Sequence, residues 1–252
     1  PMIPVRKEDG GWAGPTHGLG DKRNPLHVLY NNRNNTRRRW RVFGNFFAEA
    51  ELLEGLTLKT NAGIDYSNYF YKNFEPRWQE GTRSIDINYL TTDYNHDYNV
   101  TWSNTLNYVY NNDVHSINAV VGTEAIQMRT QGFYGRNSQF LVEDLSYRYL
   151  DAGTGEQTTG GWGVESTLLS YFGKVDYSYK DRYLASVTLR RDGSSRLGPG
   201  NRTGVFPAVS VGWRISEEAF MQDFEWLSKL KLRGGYGETG NDRIGNYNSF
   251  TN

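Results

Sequence analysis

The chain has 252 residues with 28 basic against 28 acidic side chains, so its formal charge is zero and no global field draws it to nucleic acid or to an anionic surface. Mean hydropathy is -0.71, and no stretch approaches the roughly 18 consecutive apolar residues of a membrane-spanning helix. Cysteine is absent, which excludes disulfide frameworks, thiolate nucleophiles and most zinc sites.

Residues 1–36 are rich in Gly, Asn and Pro and read as a long loop. Pro1–Asp9 shows no charged segment followed by an apolar one, so no signal peptide is expected there. Alternation begins at Trp40, with Trp40, Val42, Phe46, Ala48, Ala50 and Leu52 on one face against Arg39, Arg41, Asn45, Glu49 and Glu51. A turn at Glu54-Gly55 leads to a return strand carrying Leu56, Leu58, Thr60, Ala62, Ile64, Tyr66 and Phe70 on one side. Residues 72–92 read as a polar loop. A second hairpin runs from Tyr98 to Tyr110, turns at 111–113 and returns from Val114 to Met128 with blurred facing. Residues 130–164 read as a long Gly-containing loop.

The clearest alternation lies in the third hairpin. Leu169, Tyr171, Gly173, Val175, Tyr177 and Tyr179 face one way and Ser170, Lys174, Asp176 and Ser178 the other, with Phe172 the exception. Beyond the turn 180–182, Tyr183, Ala185, Val187 and Leu189 repeat the apolar face. A loop at 192–203 precedes a strand from Thr203 to Ile215. Ser216–Leu227, with an N-cap serine and Glu217-Glu218 in the first turn, reads as a short helix. A last strand spans Ser228 to Gly237.

The pattern predicts an all-β fold of eight antiparallel strands in four hairpins, with short connections on one side and long ones on the other. That asymmetry, and strands longer than the 9–11 residues or so that cross a bilayer, point to a transmembrane β-barrel. Low mean hydropathy is compatible with it, because only every second residue meets lipid. Tyr108, Tyr110, Tyr177, Tyr179 and Tyr183 crowd the short-turn ends, as an interfacial girdle would. The expected lipid-facing residues are Leu169, Val175, Tyr177, Tyr179, Val187 and Leu189, with Lys174, Asp176 and Arg190 toward the lumen. The alternative is a soluble β-sandwich acting as a carbohydrate-binding module.

Several segments carry a more specific resemblance. Tyr171-Phe-Gly-Lys-Val-Asp-Tyr-Ser-Tyr-Lys-Asp-Arg-Tyr183, Leu189-Arg-Arg-Asp-Gly-Ser-Ser-Arg-Leu-Gly-Pro-Gly-Asn-Arg202 and Val205-Phe-Pro-Ala-Val-Ser-Val-Gly-Trp-Arg-Ile-Ser216 resemble the SusC/RagA family of TonB-linked outer-membrane transporters. So do Leu230-Lys-Leu-Arg-Gly-Gly-Tyr-Gly-Glu-Thr-Gly-Asn241, Gly122-Thr-Glu-Ala125 and Tyr149-Leu-Asp-Ala-Gly153, all in order; Leu197 departs from the family's usual Phe. The resemblance implies a barrel of about 22 strands with a plugged lumen, in the bacterial outer membrane. It also implies a SusD-like surface lipoprotein as partner, TonB as energy source, and import of oligosaccharides or peptides. On that reading both chain ends are cuts within a longer protein, and residues 1–252 are part of one barrel domain. Residues 1–36 would be an outer loop, 37–240 the four hairpins and 241–252 the start of the next loop. The plug, and with it the TonB-contacting region, would lie outside the segment.

No catalytic constellation is expected. Gly235-Tyr-Gly-Glu-Thr-Gly240 matches G-x-G-x-x-G but is followed by no helix start, so it reads as glycines in a strand and its exit loop. His17, His27, His96 and His115 are scattered, and no metal or other cofactor is expected. Glu143-Asp144 and Glu217-Glu218 read as solvated carboxylates, and Arg37-Arg38-Arg39 with Arg41 as a rim that could meet lipopolysaccharide phosphates or an anionic substrate. Trp78, Phe133, Tyr134 and Trp162 are the candidate substrate-binding residues, as aromatic faces in the outer loops.

Overall fold

A computed structural model describes residues 3–15, 22–221, 224, 226–242 and 245. The period-two segments form ten strands: β1 (Thr36–Leu53), β2 (Leu56–Glu75), β3 (Trp78–Glu80), β4 (Arg83–Ile85), β5 (Tyr89–Asn111), β6 (His115–Ser138), β7 (Thr158–Tyr179), β8 (Tyr183–Ser194), β9 (Thr203–Arg214) and β10 (Lys231–Gly237). Eight of them build one sheet in the order β1-β2-β5-β6-β7-β8-β9-β10, and β3 pairs separately with β4. Each neighbour in the large sheet is next in sequence or separated only by the short β3–β4 pair, as a run of up-and-down hairpins requires.

Two compact units divide these residues by contact: residues 1–41, 67–97 and 130–163 form one, and 42–66, 98–129 and 164–252 the other. In the second unit, register fixes which side chains share a face. Val175 pairs with Val187 and Val187 with Val209, while Tyr177 pairs with Ala185, Ala185 with Val211 and Val211 with Gly234. One residue along, Asp176 pairs with Ser186 and Ser186 with Ser210. Because directly opposed residues point to the same side, the apolar rows stack on one face and the polar rows on the other. Nothing among the described residues covers the apolar face: Val187 is 55% exposed, Leu189 54% and Val211 65%. A β-sandwich buries that face against a second sheet, so the soluble-module alternative does not describe this fold.

The tight turns account for the register. Lys180 and Asp181 both have positive φ (48° and 54°) and the Arg182 amide donates to the Tyr179 carbonyl (3.0 Å), so residues 180–182 close a tight turn between the paired Tyr179 and Tyr183. Gly55 (φ 76°) brings its backbone so close to Val109 that a Cβ would lie 2.3 Å from the Val109 carbonyl oxygen.

Three expectations are corrected. Residues 1–36 are not all loop: Pro25–Asn32 forms helix α1, started by Asn24, whose side chain accepts the Leu26 amide, and by Pro25 in the first turn. The loops at 72–92 and 130–164 are shorter than expected, since β2, β5, β6 and β7 run 20–24 residues and extend into them, leaving 139–157 between β6 and β7. Ser216–Leu227 is no α-helix within its described residues, but holds 3-10 turns at Ile215–Glu217 and Ala219–Met221. The Glu218 carboxylate accepts the Tyr183 hydroxyl (2.6 Å), the Trp213 indole N–H (3.0 Å) and Arg182 (3.2 Å), and its own backbone is extended. Those bonds tie Glu218 back to the strand ends and interrupt the helix; they also hold its carboxyl below the usual range.

Candidate functional site

In the first unit, small apolar contacts carry an extensive polar framework. Phe74, Leu90 and Phe140 form its buried core, with Phe74 and Phe140 edge to face at 5.4 Å and Leu150 packed against them. Asn88 clamps the segment after β6: its Oδ1 accepts the Phe140 amide (2.7 Å) and its Nδ2 donates to the Phe140 carbonyl (2.9 Å) and to Glu143 (2.7 Å). Glu143 also accepts the Arg77 amide and Nε, each at 3.0 Å, and the Arg148 guanidinium donates to the Glu143 carbonyl while lying 4.2 Å from the Phe74 ring centre. Glu143 is therefore a framework acceptor rather than a solvated charge. Burial alone would raise its pKa, but the hydrogen bonds from Arg77 and Asn88 outweigh it and hold the carboxyl below the usual range. Asp144 accepts the Ser146 amide and hydroxyl, starting a 3-10 turn at Leu145–Tyr147.

A second hub centres on Glu80, which is fully buried. Its carboxylate meets His27 Nδ1 at 2.6 Å, accepts the Asn24 amide at 2.9 Å and lies 3.8 Å from Arg23. The His27 ring stacks on Trp12 at 4.6 Å, and Arg23 lies over Trp78 at 3.8 Å. Burial lowers the His27 pKa and outweighs the pull of Glu80 in the other direction. Glu80 thus fastens α1 and residues 5–13, whose Val5 and Ala13 carbonyls accept from Asn24 Nδ2, to β3.

The four aromatic candidates do not form one platform. Trp78 is 8% exposed, enclosed by Arg23 and His27, with its indole N–H toward Glu75. Phe133 and Tyr134 are consecutive on β6 and so point to opposite faces. Phe133 stacks on Tyr94 at 5.4 Å, whereas the Tyr134 ring covers Gly160, where a Cβ would lie 2.5 Å from it. Trp162, two residues after Gly160, shares the Tyr134 side and is 51% exposed. Only Tyr134 and Trp162 present aromatic surface to one common side.

In the second unit the polar face carries a charged relay. Arg190 donates to Asp192 (2.7 Å), Ser170 (2.8 Å) and Glu124 (3.1 Å), and Lys174 pairs with Asp176 at 2.8 Å. On the apolar face His115, Tyr177, Tyr179, Tyr183 and Trp213 form a row of ring contacts at 5.5–6.5 Å next to the short turns. No group of three His, Asp or Glu able to hold a metal occurs among the described residues. His17 lies outside them.

No family model matches the sequence. The chain is 27% identical over 250 residues to TonB-dependent receptor P3 of Formosa agariphila, covering 99% of this chain and 25% of that protein. It is 34% identical over 194 residues to TonB-dependent receptor SusC of Bacteroides thetaiotaomicron, covering 77% of this chain and 18% of SusC. Its fold matches a RagAB peptide importer in an open-open state with a TM-score of 0.84, at 25% identity, covering 96% of this chain and 27% of that one. The chain thus spans about a fifth to a quarter of the length of the curated relatives it matches. The one-sided eight-stranded sheet and these likenesses agree: the chain belongs to the SusC/RagA family of TonB-dependent outer-membrane β-barrel receptors and corresponds to a stretch of their barrel.

Proposed function

We propose that this segment is part of the barrel wall of an outer-membrane importer of peptides or oligosaccharides, one that draws energy from TonB and works with a SusD-like surface lipoprotein. The observation that carries this reading is the one-sided register of β7–β10, apolar on one face and polar on the other across four consecutive strands. On it, Leu169, Val175, Tyr177, Tyr179, Val187 and Leu189 meet lipid, and the Arg190 relay and Lys174 line the lumen. Charged groups on the lumen face are compatible with a barrel whose interior is polar. Residues 1–252 then belong to one barrel domain whose plug lies elsewhere in the parent protein, and the segment has no catalytic role. The RagAB likeness supports a peptide cargo, since that protein is described as a peptide importer.

Tyr134 and Trp162 are the wall's aromatic contacts for cargo, and Trp78 acts through folding. Phe133, on the other side of β6, is left to pack on Tyr94. Uptake of labelled peptides and oligosaccharides by cells expressing the full-length receptor with its lipoprotein tests the proposal. Uptake of one class should disappear on deleting the receptor or TonB, and Trp162→Ala should weaken it several-fold, as loss of one aromatic contact does. Uptake of both classes that persists without the receptor would contradict the proposal.

A further inference from the structure

On the apolar face of the second unit, Arg191 places a cation within the hydrocarbon-like surface. Arg191 pairs with Tyr171 on one side and Val205 on the other, so it shares their face rather than that of the Arg190 relay. Its neighbours on that face, Leu189, Val205 and Tyr171, are about half exposed. No acidic side chain or other hydrogen-bond partner meets the Arg191 guanidinium among the described residues, in contrast to that of Arg190, which has three.

Arg191 also caps a groove of about 660 Å³. Val121, Leu189 and Leu106 line its apolar part, and its depth comes from Gly173, which pairs with Leu189 and lacks a side chain in an otherwise filled row. Asn104 and Thr123 add hydrogen-bonding groups to the same lining. Trp102, 56% exposed and bonded to Thr60, lies two residues before Asn104 on β5, on the same side. Eight residues separate Arg191 from Tyr183 in the aromatic row at the short turns. At about 3.3 Å per residue and a strand tilt near 40°, that is roughly 20 Å of depth, close to the far boundary of an apolar band about 25 Å tall.

We infer that this groove is a specific site for the phosphorylated glycolipid of the outer leaflet: an acyl chain lies over Gly173 and the lipid's phosphate pairs with Arg191. A guanidinium at the edge of hydrocarbon is poorly solvated, this one is unpaired among the described residues, and phosphate is the anion whose geometry its fork matches. Neither half of the site suffices alone, since the groove without Arg191 selects no headgroup and Arg191 without the groove selects no lipid. The inference rests on reading this face as the lipid side of an outer-membrane barrel with its short turns periplasmic.

The test is lipid A retained by the full-length receptor extracted in mild detergent, quantified by mass spectrometry, followed by rebinding of lipid A, dephosphorylated lipid A and inorganic phosphate. Arg191→Gln should lower retained lipid A roughly tenfold, the loss expected for one charge-assisted hydrogen-bonded contact, and Arg191→Lys should retain more than Arg191→Gln. Gly173→Trp should lower retention with Arg191 intact; a Cβ there meets only ordinary contacts, the nearest at 3.7 Å, so the strand should accept it. Dephosphorylated lipid A should rebind weakly and inorganic phosphate not measurably. Retention unchanged in both Arg191→Gln and Gly173→Trp, or equal binding of the dephosphorylated lipid, would overturn the inference. Heat-modifiable migration confirms that each variant barrel has folded. Cargo uptake, read in parallel, reports on the importer proposal independently of the lipid.

Discussion

The wall strands β7–β10 and the cluster around Glu80 and Glu143 treat polar groups in opposite ways. In the wall, alternation sorts them by side, and charged residues can stay accessible: Lys174 and Asp176 form an ion pair with each side chain more than 40% exposed. In the cluster, few apolar side chains are buried, and the chain is held by carboxylates and amides that accept or donate several bonds each. A wall of this kind derives its order from repetition and register, so single polar changes on the wet side cost little. The cluster depends on a few buried acceptors, and removing one leaves several donors unsatisfied.

The largest expected effect lies in the cluster. Glu80→Leu in the full-length receptor should destabilise the α1 region by about 3–5 kcal/mol, the cost of stripping one partner from a buried charged network. Faster hydrogen exchange over residues 22–32 would show it, and unchanged exchange would remove Glu80 from the account. Phe140→Ala should cost a similar 3–5 kcal/mol through the cavity it opens against Phe74 and Leu90, read as local protease sensitivity near residue 140. In the wall the effect should depend on side. Val187→Arg, in mid-strand on the apolar face, should cost about 2–4 kcal/mol of barrel stability, and Ser186→Arg, one residue along, close to nothing. Equal costs would mean that the two faces do not meet different media.

Acidification should separate the two hubs with the smallest effect. The folded-state pKa of His27 is depressed, so its contribution is present above the unfolded value near 6.5 and is lost as pH falls below it toward the folded value. Glu143 is also depressed, but from a carboxylate value near 4.3, so its contribution survives until pH falls below that range. Exchange over residues 22–32 should therefore rise between pH 7.5 and 5.5 while residues 139–149 stay protected. Simultaneous loosening would contradict this order.

The wall was legible in the sequence because its physics is periodic: Val175, Tyr177 and Tyr179 on β7 and Tyr183, Ala185 and Val187 on β8 recur at every second residue, and the Val175–Val187 pairing follows from the tight turn at Lys180 and Asp181. The cluster was not, because its order comes from long-range hydrogen bonds. Nothing local links Asn88 to Phe140 or Glu80 to His27, 52 and 53 residues apart. The strand extensions of β5 and β6 were missed where alternation fades. The Asn24-Pro25 start of α1 was a readable signal hidden in a Gly- and Asn-rich stretch. Aromatic type alone marked Trp78 and Trp162 alike, and only the structure separates the enclosed ring from the open one.

The central claim is that register divides this wall into a lipid side and a lumen side. Single cysteines at Val175, Val187 and Val209, and at Ser186, Thr188 and Ser210, can be introduced into a cysteine-free background of the full-length receptor and labelled with a fluorophore in outer-membrane vesicles. Quenchers carried on lipid acyl chains should quench the first three strongly and the second three weakly, with the order reversed for a water-soluble quencher. Quenching that ignores the alternation would contradict the account.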